Sequence, residues 1–424
     1  MTKRIKSVGT FVSMVLFATG TGIAGITGAA AQSKEPIKIG FSIAMTGGLA
    51  ANGKSALLAK RIWEEDVNAN GGLLGRPVKL IYYDDQSNAA TVPGIYTKLL
   101  DVDKVDLIVG AYGTALEAPA MPIAIQRKRV FIGLLGLAVN SEFNYPNYFA
   151  MLPAGPDAKP AFTKGFFDTA MAQNPKPKTV AIAAADQEFS INASDGAREN
   201  AKKAGLQVVY DKRYPPSTTD FAPIVRAIQA TNPDLVVICA YPPDAVGMVR
   251  SVAEIGFKPK MIGGAMVGLQ STSVKMQLGP LLNGWVNYDY WEPFPKLGAA
   301  GIDDLLKKYQ ARAQAEGVDP LGYYIAPWAY AQLQVMQRAV EGTLSIDDQK
   351  LADYIRANTL KTVLGDISFG PKGEWAQSRV LQIQFHDIKG NDLEQFRTMG
   401  TQTLLTPEAY SSGKVVYPFE KARN

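Results

Sequence analysis

The chain has 424 residues, with 44 Lys and Arg against 39 Asp and Glu and a formal net charge of +5. Three of the cations, Lys3, Arg4 and Lys6, sit at the extreme N-terminus, so the remainder carries only about +2 and offers no footing for nucleic acid. One histidine (His386) and one cysteine (Cys239) exclude His-cluster metal sites, most His-based triads and any intrachain disulfide.

The N-terminal segment has the pattern of an export signal. The three cations are followed by a mostly apolar, small-residue run, Val8 to Gly28, and Ala29-Ala30-Ala31 offers a cleavage site before Gln32. Residues 1–31 are therefore expected to be removed near Ala31 and the mature protein to be periplasmic. Gly and Thr interruptions argue against a retained membrane anchor, and no cysteine follows the run to take a lipid. Roughly 390 residues remain, which suits two lobes better than one small core.

Strand-like and helix-like segments then alternate. Ile37 to Met45 reads as a strand, Ser55 to Asn68 as an amphipathic helix, Val78 to Tyr83 as a strand and Val92 to Val102 as a helix. In Val105 to Glu117 (VDLIVGAYGTALE), the apolar run Leu107 to Ala111 predicts a buried parallel strand, which turns at Tyr112 and Gly113. Thr114-Ala-Leu-Glu117 fits a capping box, and the unpaired amides of such a helix start are a natural carboxylate seat; the plainer alternative is that Thr114 only caps a helix. A helix to Lys128 and a strand at Val130 to Leu134 follow.

The alternation restarts after Pro153, with strands predicted at Thr179 to Ala184, Leu206 to Tyr210 and Asp234 to Ala240 and helices between them. Trp285 to Trp291 reads as a strand or extended crossing. Long helices are predicted at Gly301 to Glu316 and Tyr323 to Glu341, and a shorter one at Ile346 to Ala357. Asp366 to Phe396 alternates as a β-hairpin would, and the tail from Arg397 is weakly patterned. Such spacing indicates βαβ units and parallel sheets, hence an α/β protein with two sheets facing a cleft.

Gly48-Leu-Ala-Ala-Asn-Gly53-Lys54-Ser55 satisfies the phosphate-loop pattern, but an exported protein meets little nucleoside triphosphate. The reading preferred here is a Gly-rich loop with Ala51 and Asn52 facing a ligand, and no direct ATP binding. No GxGxxG fingerprint and no GxSxG elbow occur, the acidic pairs Asp84-Asp85 and Asp303-Asp304 suit structural roles at element ends, and neither a catalytic constellation nor a cofactor is implied. Tyr112, Phe189, Tyr241, Tyr290, Trp291, Tyr323 and Tyr324 fall near strand ends or helix starts, where together they could wall an apolar pocket.

Several stretches in order, IGFSIAMTGGLAANG, VNANGGLLGRPVKLIYYDDQS, LIVGAYGTALEAP, AYPPDAVGMVRSVAEIGF and FGPKGEW among them, resemble the solute-binding proteins of branched-chain amino-acid ABC importers. The resemblance implies a type I periplasmic binding fold, with two Rossmann-like lobes joined by three crossovers near Pro153, Gly284 and Gly365. Lobe 1 would hold 36–153 and 285–365, lobe 2 would hold 154–284 and 366–396, and 397–424 would form a tail. A small-molecule ligand would be captured between the lobes and delivered to inner-membrane permease subunits.

Carried over residue by residue, the family's carboxylate seat falls on Gly113 and Thr114, and Leu135, beside Gly136, stands where an ammonium-binding Thr is usual. Phe189 and Tyr241 take the place of covering aromatics, and the acidic partner of an α-ammonium aligns near Ala265 or Met266. A buried ammonium without a partner costs several kcal/mol. The departures at Leu135 and Ala265/Met266 therefore lead to the expectation of a carboxylate ligand without an α-ammonium, such as an aromatic or aliphatic acid. An exported sensor subunit with this fold, or an amino-acid or amide binder, remains as an alternative.

Overall fold

The structure is a computed structural model in which residues 35–423 and the isolated Gly9 are described; the expected export signal otherwise lies outside the described residues. Strand β1 (Ile37–Ile43) is buried at every position but Lys38, as expected of a parallel strand covered on both faces. It pairs in parallel with β2 (Val78–Asp84) and β3 (Leu107–Ile108). The run expected as one strand to Ala111 changes partner midway. Val109 N–H still reaches Gly40 O at 3.0 Å, whereas Gly110 N–H turns to Ile132 O at 2.8 Å in β4 (Phe131–Gly133). Strand β5 (Tyr148–Ala150) extends that side in parallel.

The second sheet has seven strands. It begins with β6 (Thr179–Ala185), β7 (Gln207–Tyr214), β8 (Leu235–Ala240), β9 (Met261–Met266) and β10 (Val286–Asp289). After a separate antiparallel pair, β11 (Leu360–Thr362) and β12 (Gly365–Ile367), the chain adds β13 (Leu381–Phe385) and β14 (Gln402–Thr406). The order is β14-β13-β10-β9-β8-β6-β7, parallel from β10 to β7 and antiparallel at β13 and β14. Strands β6 and β8 are almost wholly buried, and Cys239 lies in this core.

Three expectations need correction. Residues 366–396 do not make a hairpin: β12 pairs with β11, and β13 pairs with β10 and with β14 from the tail. Residues 285–289 belong to the second sheet, because Gly284 N–H donates to Phe385 O at 2.8 Å and Phe385 N–H to Trp285 O at 3.0 Å, which keeps the backbone in that ladder. The chain thus leaves the sheet after β10 rather than at Gly284. The phosphate-loop pattern is also not a loop, since the helix Ala50–Ala69 already contains Gly53, Lys54 and Ser55, with Gly53 N–H donating to Leu49 O at 2.9 Å. Ser55 Oγ accepts from Tyr309 Oη at 2.9 Å, so this hydroxyl holds helices together.

Two connections between the sheets run side by side, Arg379 N–H donating to Pro153 O at 2.7 Å. Near the third lies a buried ionic group: Lys275 Nζ meets Glu292 Oε1 at 2.9 Å with both side chains 1% exposed. Burial, and then the Glu292 charge, pushes the neighbouring Asp289 carboxyl well above the usual range.

Candidate functional site

The site forms where strands of both sheets end. Beyond β3, Gly113 takes φ +82°, a conformation that suits glycine, and turns the chain into the short helix Thr114–Glu117. The N-cap is Gly113, not Thr114, so the expected capping box does not form. Thr114 Oγ1 instead accepts the Leu137 amide at 2.9 Å. Glu117 turns inward, its carboxylate accepts the Tyr148 hydroxyl, and it sits against Gly133 and Gly136, where an added Cβ would come within 1.9 and 2.6 Å of its oxygens. Burial pushes this carboxyl up to about 8, so it holds its proton at neutral pH.

The Gly113 amide is also committed, donating to Leu134 O at 2.9 Å. Leu116 and Glu117 donate back to Gly113 O. The first-turn amides of Thr114 and Ala115 precede any intrahelical acceptor. The donors at this turn without an intrahelical acceptor are therefore the Thr114 hydroxyl and the amides of Thr114 and Ala115.

Facing this turn are side chains from the second sheet. Phe189 follows β6, Tyr241 follows β8 and Val267 follows β9, each just past a strand's carboxyl end. With Tyr112, Gly113, Thr114, Leu135, Tyr288, Tyr290 and Tyr324 they line a cavity of about 20 Å³, room for about one water. The rings close on one another: Tyr290 stacks on Tyr324 at 5.9 Å and Phe189 meets Tyr241 edge-on at 5.9 Å. Tyr324 Oη lies 3.4 Å from Tyr112 Oη and 3.1 Å from Tyr288 Oη, and Asn52 Nδ2 donates to Tyr112 Oη at 2.8 Å. Burial pushes the Tyr112 phenol up to about 12 and raises Tyr241, Tyr288, Tyr290 and Tyr324 as well, so these hydroxyls stay neutral. No acidic or basic side chain lines this cavity.

Of the residues expected from sequence, Tyr112, Gly113, Thr114, Leu135, Phe189, Tyr241, Tyr290 and Tyr324 meet at this cavity. Asn52 reaches it only through the Tyr112 hydroxyl, from the first turn of its helix, while Ala51 is exposed. Gly136 is absent from the lining because it packs on Glu117. Ala265 and Met266 are buried inside β9, and the lining position of that segment is the next residue, Val267. Trp291 and Tyr323 face a separate surface groove. Tyr288 was missed, although it shares a strand face with Tyr290 by two-residue alternation.

Two contacts clasp the sides together. Asn192 Nδ2, in the helix after β6, donates to Leu137 O at 3.0 Å. Asp319, after the helix Ile302–Glu316, accepts from Ser271 Oγ at 3.1 Å and Ser273 N–H at 2.9 Å, at the helix after β9.

Comparison with known proteins agrees with this architecture. The family described as periplasmic binding protein matches residues 36–385. A Leu/Ile/Val-binding protein of Citrobacter freundii is 26% identical over 345 residues, covering 80% of this chain and 88% of that protein. The branched-chain amino acid transporter substrate binding protein LivJ of Streptococcus pneumoniae, solved with isoleucine, superposes with a TM-score of 0.70 at 18% identity, covering 91% of this chain and 100% of that one. A solute binding protein of an ABC transporter from Rhodopseudomonas palustris, solved with 3,4-dihydroxy benzoic acid, gives a TM-score of 0.70 at 20% identity, covering 84% and 94%. Paired α/β sheets, a lined gap at their carboxyl ends and a match over most of the chain agree: this protein belongs to the periplasmic binding proteins, as a type I member of the Leu/Ile/Val-binding kind found in ABC transporters.

Proposed function

We propose that the protein is the exported receptor of an importer, and that its ligand is a small carboxylate without an α-ammonium, an aromatic or aliphatic acid, handed on to inner-membrane permease subunits. The observation that carries this reading is the lining of the inner cavity: aromatic rings, neutral hydroxyls and amides, with no charged side chain. A carboxylate finds donors there in the Thr114 hydroxyl, the amides of Thr114 and Ala115 and the phenols. An ammonium finds no counter-charge, which costs several kcal/mol in a buried site. Both ligand classes occur among proteins of similar fold, isoleucine in one and 3,4-dihydroxy benzoic acid in another, so the fold leaves the choice to the lining.

Thermal unfolding of the mature protein with leucine, benzoate and short keto acids tests the reading. A ligand at one hundred times its dissociation constant adds about 2.7 kcal/mol of stability. Stabilisation by acids that lack an amine supports it; stabilisation by leucine alone overturns the ligand class.

A further inference from the structure

The inner cavity is not the only space between the sheets. On the other side of Tyr241 lies a half-open cavity of about 350 Å³. Its walls come from both sides: Gly48, Leu49, Ser87 and Ala115 from the first, and Gln187, the loop Pro216–Thr219, Tyr241, Pro243 and Asp244 from the second. Tyr241 lines both cavities, and the neighbours Thr114 and Ala115 line one each, so the two spaces lie side by side at the proposed carboxylate seat.

Asp244 is the one acidic side chain lining either space, and no Lys, Arg or His lines them. It is only 7% exposed. Tyr214 Oη donates to its Oδ2 at 3.2 Å and the Tyr241 backbone amide also bonds to the carboxyl, and a carboxylate with two such partners keeps further acceptor capacity. An acid in the first turn of the helix Pro242–Ile255 complements the helix dipole wherever it points. A surface position would serve that purpose, and burial at the wall of a cleft cavity without a cation beside it is unnecessary for it.

We infer that the outer cavity is a second subsite of the same binding site. It would take the far end of an acid that carries a hydrogen-bond donor, an amine or a hydroxyl, remote from its carboxylate. This rests on the receptor reading above and extends it. The carboxylate is held at Thr114 and Ala115, the body of the ligand passes Tyr241, and the distal donor bonds to Asp244. The volumes favour the same arrangement, because with the lobes together the inner cavity admits about one water whereas the outer one admits a small organic molecule.

Isothermal titration of the mature protein with butyrate, hexanoate and octanoate, and with their ω-hydroxy and ω-amino derivatives, tests the assignment. At one chain length or more, the ω-substituted acid binds about tenfold or more tightly than its parent, as a hydrogen bond to a charged group allows. Asp244→Ala removes that advantage for both derivatives. Asp244→Asn, which keeps an acceptor and loses the charge, removes it for the amine alone if the donor is cationic and spares the hydroxyl. Ser217→Trp, at an exposed loop position in the outer wall, weakens octanoate and its derivatives more than butyrate and its derivatives, a readout independent of whether the Asp244 variants fold. Equal affinities for parents and derivatives, with no effect of Ser217→Trp, overturn the subsite and leave the receptor for simple acids standing. Absence of binding by every acid, benzoate included, overturns both.

Discussion

Leu137 donates its backbone N–H to Thr114 Oγ1 at 2.9 Å. That direction of donation fixes the hydroxyl as an acceptor on one side and leaves its own hydrogen for an acceptor in the inner cavity. Thr114→Val keeps the shape and removes both bonds. Affinity for a bound carboxylate probe such as benzoate falls roughly 10- to 100-fold, and stability falls by about 1–3 kcal/mol because the Leu137 amide loses its partner. Thr114→Ser retains most of both. Titration and chemical denaturation of the two variants separate these effects, and unchanged affinity in the valine variant would remove Thr114 from the seat.

Glu117 makes stability depend on pH in a direction unusual for a carboxylate. Burial raises its folded value from 4.5 to about 8. Below pH 4.5 it is protonated in both states and carries no penalty. Between about 4.5 and 8 the unfolded chain releases the proton and the folded chain retains it, so stability declines as pH rises through this window. Glu374, also pushed up to about 8 by burial, acts in the same sense. Glu117→Gln is expected to flatten the curve by about 2–5 kcal/mol across the window. Urea unfolding of both proteins at several pH values measures the difference; parallel curves would mean that Glu117 is not held neutral.

Leu135 lines the cavity with φ +61°, which asparagine tolerates better than leucine. Leu135→Asn introduces an acceptor where the resemblance leads one to expect an ammonium partner. Leucine binding should strengthen in this variant while benzoate binding weakens. Calorimetry with both ligands decides, and a variant that loses both equally would show that position 135 does not select between them.

The buried pair of Lys275 and Glu292 predicts a large loss when one partner is removed. Lys275→Met leaves an uncompensated carboxylate beside Asp289 and should cost about 3–5 kcal/mol. Lys275→Met with Glu292→Leu should recover most of it. Denaturation midpoints of the single and double variants test the coupling; additive losses would contradict it.

The strand–helix alternation was legible because parallel strands such as β6 and β8 are buried on both faces and read as continuous apolar runs. The turn at Tyr112 and Gly113 was legible from the end of such a run. That the capping box fails to form was not, because the pattern T-x-x-E says nothing of Gly133 and Gly136, whose missing side chains leave the space that the Glu117 carboxyl fills. Sequence alone also could not show that β13 takes its second partner from the tail, since pairing between distant segments leaves no local trace. Val267 was missed by a single residue, the usual uncertainty of a strand end, and that residue decides which side chain reaches the cavity.

The clasps at Asn192 and Asp319 have a kinetic consequence. With both made and the rings in contact, the inner cavity has room for about one water, so a larger ligand enters only as the two sides separate. Stopped-flow tyrosine fluorescence should then show an observed association rate that levels off at high ligand concentration, at the frequency with which the clasps break. That ceiling would be common to every ligand the protein accepts, whatever its affinity, and Asn192→Ala would raise it.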